Sequence, residues 1–213
     1  MLKTSTARGI PCKLILTTMS VSTITRTLDF NIANAAYEGV CNDIVRTCAV
    51  PPGEYSHLLS ADPRTAGNEL HALLGRMNDN GPLLDTEKAY LPWVGVLRTM
   101  LRGMGVFQME NEVALSPIGC VPNGVCDLLV HGGPQPRGAI EVKLVMNGTL
   151  DHPRGRNLAQ VGCYSRLIAR HGSFDAIWAA VAYVEIEARQ VQLFGFTNSR
   201  QLVTQTLELL RAA

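Results

Sequence analysis

Between Val106 and Val145 the apolar residues of this chain recur at every second position, and that change of period limits the fold more than any other feature. Val106–Leu115, Gly124–Val130 and Gly138–Val145 read as three successive strands separated by Pro, Gly and Asn turns, close enough for a meander. Ala176–Val184 and Gln190–Phe196 read as two more. Between the two groups, Asp151 offers an N-cap with Pro153 in the first turn, and the helix it opens is expected to reach His171-Gly172, where glycine supplies the C-terminal cap. Asn198 or Ser199 is expected to cap a last helix carrying Leu202, Leu207, Leu209 and Leu210. A strand, helix, strand order implies a crossover on one face, so the expected fold class is α/β, a mixed sheet flanked by helices.

Upstream of the strands the period is helical. Ile32, Ala35, Ala36, Val40 and Ile44 predict a helix over Asn31–Cys48, closed by Pro51-Pro52-Gly53. Thr65–Met77 and Asp85–Arg102 predict two further helices. Leu14–Thr27, rich in Ile, Leu, Val and Thr, suits an edge strand. The first 28 residues also carry Lys3, Arg8, Lys13 and Arg26 and no acid, which is the composition of an organelle transit peptide. The chain is therefore divided into an N-terminal extension, 1–60, serving as targeting segment or partner surface, and a main domain, 61–213.

Composition excludes several classes. With 46% hydrophobic and 17% charged residues the chain buries a core and is not disordered. A net charge of +1 provides no global field, so a nucleic acid must be met by local patches. No run approaches the length of a spanning helix, and no membrane partner is expected. Six cysteines form neither Cys-x-x-Cys nor zinc spacing, which predicts reduced, mostly buried thiols in an intracellular protein, cytoplasmic or nucleoid-associated. A Gly-x-x-x-x-Gly-Lys-Ser/Thr loop is absent, so any ATP-driven motor would be another chain.

The chemistry-bearing residues sit on the strands. Glu141 and Lys143, two apart, share one face while Ile140, Val142 and Leu144 take the other. Asp127 lies within Val125–Val130, an otherwise apolar run where an unpaired acid is costly. Two carboxylates held close repel unless a hard cation lies between them. The bland alternative is a cross-strand ion pair made by Lys143. Against it stands the next helix, where Arg156, Gln160 and Tyr164 form one polar stripe.

Asp127, then Glu141-Val142-Lys143, then Gln160-x-x-x-Tyr164 on a helix resembles the PD-(D/E)XK nuclease superfamily, most closely its RecB-like exonuclease branch. The likeness covers about Asp85 to Tyr183. It implies a restriction-endonuclease-like core and a Mg²⁺-dependent (or Mn²⁺-dependent) deoxyribonuclease that hydrolyses phosphodiester bonds, trimming DNA from its ends. It also implies roles: Asp127, Glu141 and the Val142 carbonyl as metal ligands, Lys143 orienting or deprotonating the attacking water, and Gln160 and Tyr164 supporting the site. Gly67-Asn68-Glu69-Leu70-His71 is similar to that branch's Gly-x-x-x-His helix and makes His71 a further ligand. Glu87 competes with His71, and Glu110 and Glu112 are further possibilities. Cys126 replaces the proline of the name-giving Pro-Asp. The cysteines do not match the four-cysteine spacing of cluster-bearing relatives, so no iron–sulfur cluster is expected.

Leu150–Arg170 holds four arginines against one acid, and Arg154, Arg156 and Tyr164 are the expected nucleic-acid contacts at the helix start, with Arg166 and Arg170 further along. Two other readings share the fold: a catalytically silent nucleic-acid-binding or assembly module, and a nuclease recruited as a toxin or defence effector with a protein partner on the N-terminal region.

Overall fold

The structure is a computed structural model that describes residues 19–54, 56–79, 82–170 and 174–212. Its elements in chain order are α1 (Val21–Thr27), α2 (Phe30–Ala36), β1 (Ile44–Ala49), α3 (Pro63–Asp79), α4 (Asp85–Lys88), α5 (Leu91–Gly103), β2 (Val106–Leu115), β3 (Gly124–Gly132), β4 (Arg137–Val145), α6 (Gly155–Ala169), β5 (Ile177–Glu185), β6 (Gln190–Phe196) and α7 (Arg200–Ala212). The strands form one six-stranded mixed sheet in the order β1-β6-β5-β4-β3-β2, in which only β4 and β5 are parallel, joined by the α6 crossover. The α/β class is as the hydrophobic period requires.

Alternating side chains divide the sheet between two apolar cores. One face takes Leu128, Val130, Ile140, Val142, Ala180, Ala182 and Val184 against Leu70, Leu73 and Leu74 of α3 and Trp93, Val94 and Leu97 of α5. The other takes Ala139, Val181, Tyr183 and Phe194 against Val21 of α1, Ala33 of α2, Leu158 and Val161 of α6, and Leu202 and Leu209 of α7. Strand β5 is buried along its whole length, as a strand covered on both faces should be.

Four local expectations are corrected. Asn31–Cys48 is not one helix: α2 ends at Ala36, and Ile44–Ala49 pairs antiparallel with β6 as the sixth strand. Val21–Thr27, read as strand, is a helix because Ser20 caps it, accepting from the Thr23 N–H, and its buried Val21 and Thr25 face the second core. Leu14–Thr18 and the proposed transit segment lie outside the described residues, apart from α1 and its cap. Asp85–Arg102 breaks at Ala89-Tyr90 into α4 and α5, with Pro92 in the first turn of α5.

The start of α6 is the fourth correction. Its N-cap is Arg154, not Asp151, and no side chain of the cap residue closes it. Instead the Arg154 N–H donates to the Tyr183 hydroxyl (2.9 Å) and the Gly155 N–H to Asn34 Oδ1 (2.7 Å), so tertiary partners take the amides that a local cap would have held. Glycine is required at 155, because a Cβ there would lie 2.2 Å from the Ala33 carbonyl oxygen. At the far end Arg170 closes the helix with φ +46°, and His171 and Gly172 lie outside the described residues. Residues 19–60 thus contribute α1, α2 and β1 to the same sheet and cores as the rest of the chain. Of the cysteines among the described residues, Cys126 and Cys163 are buried and Cys41 and Cys48 exposed, which corrects the expectation of mostly buried thiols; all five described are free.

Candidate metal centre

The β3–β4 ladder runs from His131–Arg137 to Leu128–Ile140 and goes no further, although β4 stays paired with β5 as far as Val145–Glu185. Asp127 and Glu141 would form the next pair. At that point the Val142 N–H donates to Asp127 Oδ2 (2.7 Å), so a carboxylate replaces the carbonyl that a continuing ladder would supply. Asp127 also marks a break in the alternation of β3. Cys126 packs in the second core and Leu128, two residues on, in the first, so the strand turns at Asp127.

A matching irregularity lies across on β2. Asn111–Leu128 and Val113–Cys126 pair on either side, which sets Glu112 opposite Asp127, and Glu112 has φ +51°. A left-handed conformation is uncommon for a glutamate and re-aims its side chain. From α3, His71 Nδ1 lies 3.1 Å from Glu112 Oε1 and 3.4 Å from Asp127 Oδ1. His71, Glu112 and Asp127 offer donor atoms all within 4.8 Å of one another, a group that can hold a metal ion.

Glu141 and Lys143 do share a face, and the Lys143 ammonium is hydrogen-bonded to Glu141 Oε1. Glu141 is fully buried, and its Oε2 has no hydrogen-bond partner among the described residues. A buried carboxylate oxygen left unpaired is costly, and burial together with the Asp127 charge pushes the Glu141 carboxyl up to about 8 while Lys143 pulls it back. Burial raises Asp127 as well, opposed by His71 and Lys143. For Lys143 burial acts downward, but the Glu141 and Asp127 charges outweigh it and hold the ammonium above its ordinary value. His71 follows the same pattern, with the Glu112 bond and the Asp127 charge prevailing over burial. His71, Glu112 and Asp127 form a donor set that fits a divalent cation, and the unpaired buried oxygen of Glu141 lies on the next strand, opposite Asp127.

On the α6 face, to which Glu141 and Lys143 project, Gln160 donates to the Tyr164 hydroxyl (2.9 Å). Tyr164 is 1% exposed and packs against Gly124 of β3, where a Cβ would come within 2.8 Å of its ring. Burial first, then the Glu141 charge, raises its phenol. Such a side chain buttresses the strands and does not present itself to solvent, in contrast to the expected nucleic-acid contact. Arg156 is likewise committed, donating Nε to the Leu28 carbonyl (2.7 Å) with its guanidinium over Phe30. Arg154 is exposed beside the helix start. Glu87 is outside the cluster: it accepts from Arg76 Nε (2.6 Å) and from the Leu84 N–H (2.9 Å), which closes α4. Glu110 pairs with His131 (2.8 Å).

Tyr183 is a residue that the sequence did not single out, and Glu112 one that it named without preferring. Glu112 was one acid among several, and nothing in the residue pattern announces a left-handed strand residue. Tyr183 stands beside Lys143 in the β4–β5 register and accepts from the Arg154 N–H and from Asn157 Nδ2 (3.0 Å). Asn157, three residues before Gln160, was the available signal.

No family model matches the chain, and no curated protein matches it. Among solved structures it is similar to SSO0001, with 14% identity, a TM-score of 0.33 and coverage of 74% of both chains. It is also similar to a Eubacterium rectale protein described as "Putative exonuclease", with 8% identity, a TM-score of 0.44 and coverage of 76% of this chain and 65% of that one. The chain thus spans just under two thirds of the latter. No helix among the described residues is long and apolar enough to cross a membrane.

Proposed function

We propose that this chain is a divalent-metal-dependent nuclease of the PD-(D/E)XK type, hydrolysing phosphodiester bonds in DNA and acting from ends. One observation carries the reading: where β3 and β4 part, Asp127 lies beside His71 and opposite Glu141, which pairs with Lys143, and a fully buried Glu141 oxygen has no partner among the described residues. An ordinary ion pair does not explain an orphaned buried carboxylate oxygen; a cation ligand does.

Asp127, Glu141, the Val142 carbonyl and His71 would hold Mg²⁺ or Mn²⁺. Such an ion would supply charge to offset that of the phosphate and would acidify a water for attack at neutral pH. Lys143 is placed by Glu141 to orient the incoming water and to take up or shield charge as the phosphorus becomes five-coordinate. The Val142 N–H fixes Asp127, so this carboxylate does not rotate as substrate enters. Gln160 and Tyr164 of α6, on the face of β4 that Glu141 and Lys143 share, would support the pair. Exposed Arg154, at the start of α6, is suited to a substrate phosphate. DNA and end-first action rest on the resemblance of the motif.

The test is digestion of end-labelled linear DNA and covalently closed circular DNA by purified protein with Mg²⁺ or Mn²⁺, beside Lys143→Ala and an EDTA control. Loss of linear DNA alone, dependent on metal and on Lys143, is the expected result. Nicking of the circle would replace end-first action with internal cutting. Cleavage of neither DNA, and of no RNA, by wild type would favour a silent binding module.

A further inference from the structure

The acid opposite Asp127 has no part in the motif that suggested the function, yet the fold spends an unusual backbone conformation on it. Glu112 is the first of the positive-φ non-glycine residues along the described chain, at φ +51°, and it is the strand residue facing Asp127 across the β2–β3 pair. Its side chain lies along α3 at Gly75, with Glu112 Cγ 3.7 Å from where a Cβ would stand, an ordinary packing distance. Its Oε1 is 3.1 Å from His71 Nδ1, and His71 Nδ1 is 3.4 Å from Asp127 Oδ1.

Donor spacings of 3.1 and 3.4 Å are what three ligands around one small cation require when each metal–donor distance is about 2.0–2.2 Å. The independent sign of a ligand is on the far side of Asp127, where Glu141 Oε2 of β4 is fully buried and has no partner among the described residues. We infer that Glu112 is a direct ligand of the divalent cation, closing the site from the α3 side with His71 and Asp127, in addition to the Asp127–Glu141 pair of the motif. The inference rests on the metal-dependent reading above. A mixed imidazole and carboxylate set suits Mn²⁺ better than Mg²⁺, because nitrogen donors favour the later ion.

The competing role for Glu112 is to orient His71 by a hydrogen bond. Glu112→Gln separates the two, since the amide oxygen still accepts from His71 while the negative charge and most of the ligand strength are gone. The measurement is Mn²⁺ affinity of the full chain, stripped with EDTA, by calorimetry and by the paramagnetic resonance signal of free Mn²⁺, with no nucleic acid present. Expected are at least a tenfold weaker Kd for Glu112→Gln and an unchanged Kd for Glu110→Gln, whose carboxylate pairs with His131 instead. Glu112→Asn, a residue that accepts positive φ readily, guards against a folding failure and should lose affinity equally.

Affinities of both Glu112 variants within twofold of wild type, with melting in EDTA unchanged, would overturn the inference and leave Glu112 as a positioning residue. Glu112-dependent Mn²⁺ binding by a chain that cleaves no nucleic acid would overturn the nuclease reading and leave this one standing. Cleavage that depends on Lys143, with Mn²⁺ affinity indifferent to Glu112, would do the reverse.

Discussion

The two halves of β4 differ in what surrounds them. Arg137–Ile140 is hydrogen-bonded to β3 on one side and β5 on the other, whereas Glu141–Val145 has β5 alone. Only the second half alternates polar and apolar residues, and the difference in pairing arises from Asp127, which takes the Val142 N–H and ends the ladder. One strand thus serves as core in its first half and as a shelf for the Glu141–Lys143 pair in its second. A parallel neighbour holding the outer half firm allows the other side to open without loss of order.

Several substitutions break or sharpen this contrast. In the outer half, Glu141→Gln or Lys143→Ala should reduce cleavage on the order of 10³-fold, the several kcal/mol expected of a site that offsets charge on a phosphate, with secondary structure intact by circular dichroism. In the inner half, Ile140→Ala, a deletion from a fully buried position, should cost about 2–5 kcal/mol in urea unfolding while leaving cleavage at low temperature within a few-fold. A large loss of cleavage from Ile140→Ala with unchanged stability would mean that the division of labour is drawn wrongly.

Acidity gives a third contrast. Glu141 rises from an ordinary 4.5 to about 8 in the fold, so the metal-free folded chain holds a proton that the unfolded chain has released, and stability must fall as pH rises across that window. Asp127 and His71 are raised too and act with the same sign, whereas Lys143, raised from 10.5, keeps its proton in both states below pH 8. In EDTA the wild-type urea midpoint should therefore drop from pH 5 to pH 8 more steeply than that of Glu141→Gln. Equal slopes would show that the shelf is not charged in the way described. The smallest effect is expected on α6: Gln160→Ala removes one hydrogen bond to Tyr164, about 1 kcal/mol, and should slow cleavage about fivefold.

Much of this was legible in the residues. Strands β2 and β6 have the bounds that the two-residue period predicts, and Asp127, Glu141 and Lys143 stand out as charges in apolar runs. What stayed hidden depended on contacts far away in the chain. Ile32 to Ile44 keeps helical spacing through Gly39, so β1 could not be told from a continued helix; its pairing with β6 decides. The helical α1 contradicts its own β-branched composition because Ser20 caps it and α6 covers it. Arg156 looked like a phosphate ligand by position alone, but the Leu28 carbonyl claims it. Glu112 could not be preferred to Glu110, since a single dihedral angle separates them.

The sheet lies between two cores, and the cluster draws on both: His71 comes from the α3 layer, and Tyr164 and Gln160 from the α6 layer. Neither layer alone assembles it. A chain leaving the ribosome has completed β4 before α6 exists, so Glu141 and Lys143 wait without their support until residue 164 and beyond have emerged and docked. The order of synthesis therefore makes the centre one of the last things the molecule acquires, and a half-made chain does not carry it.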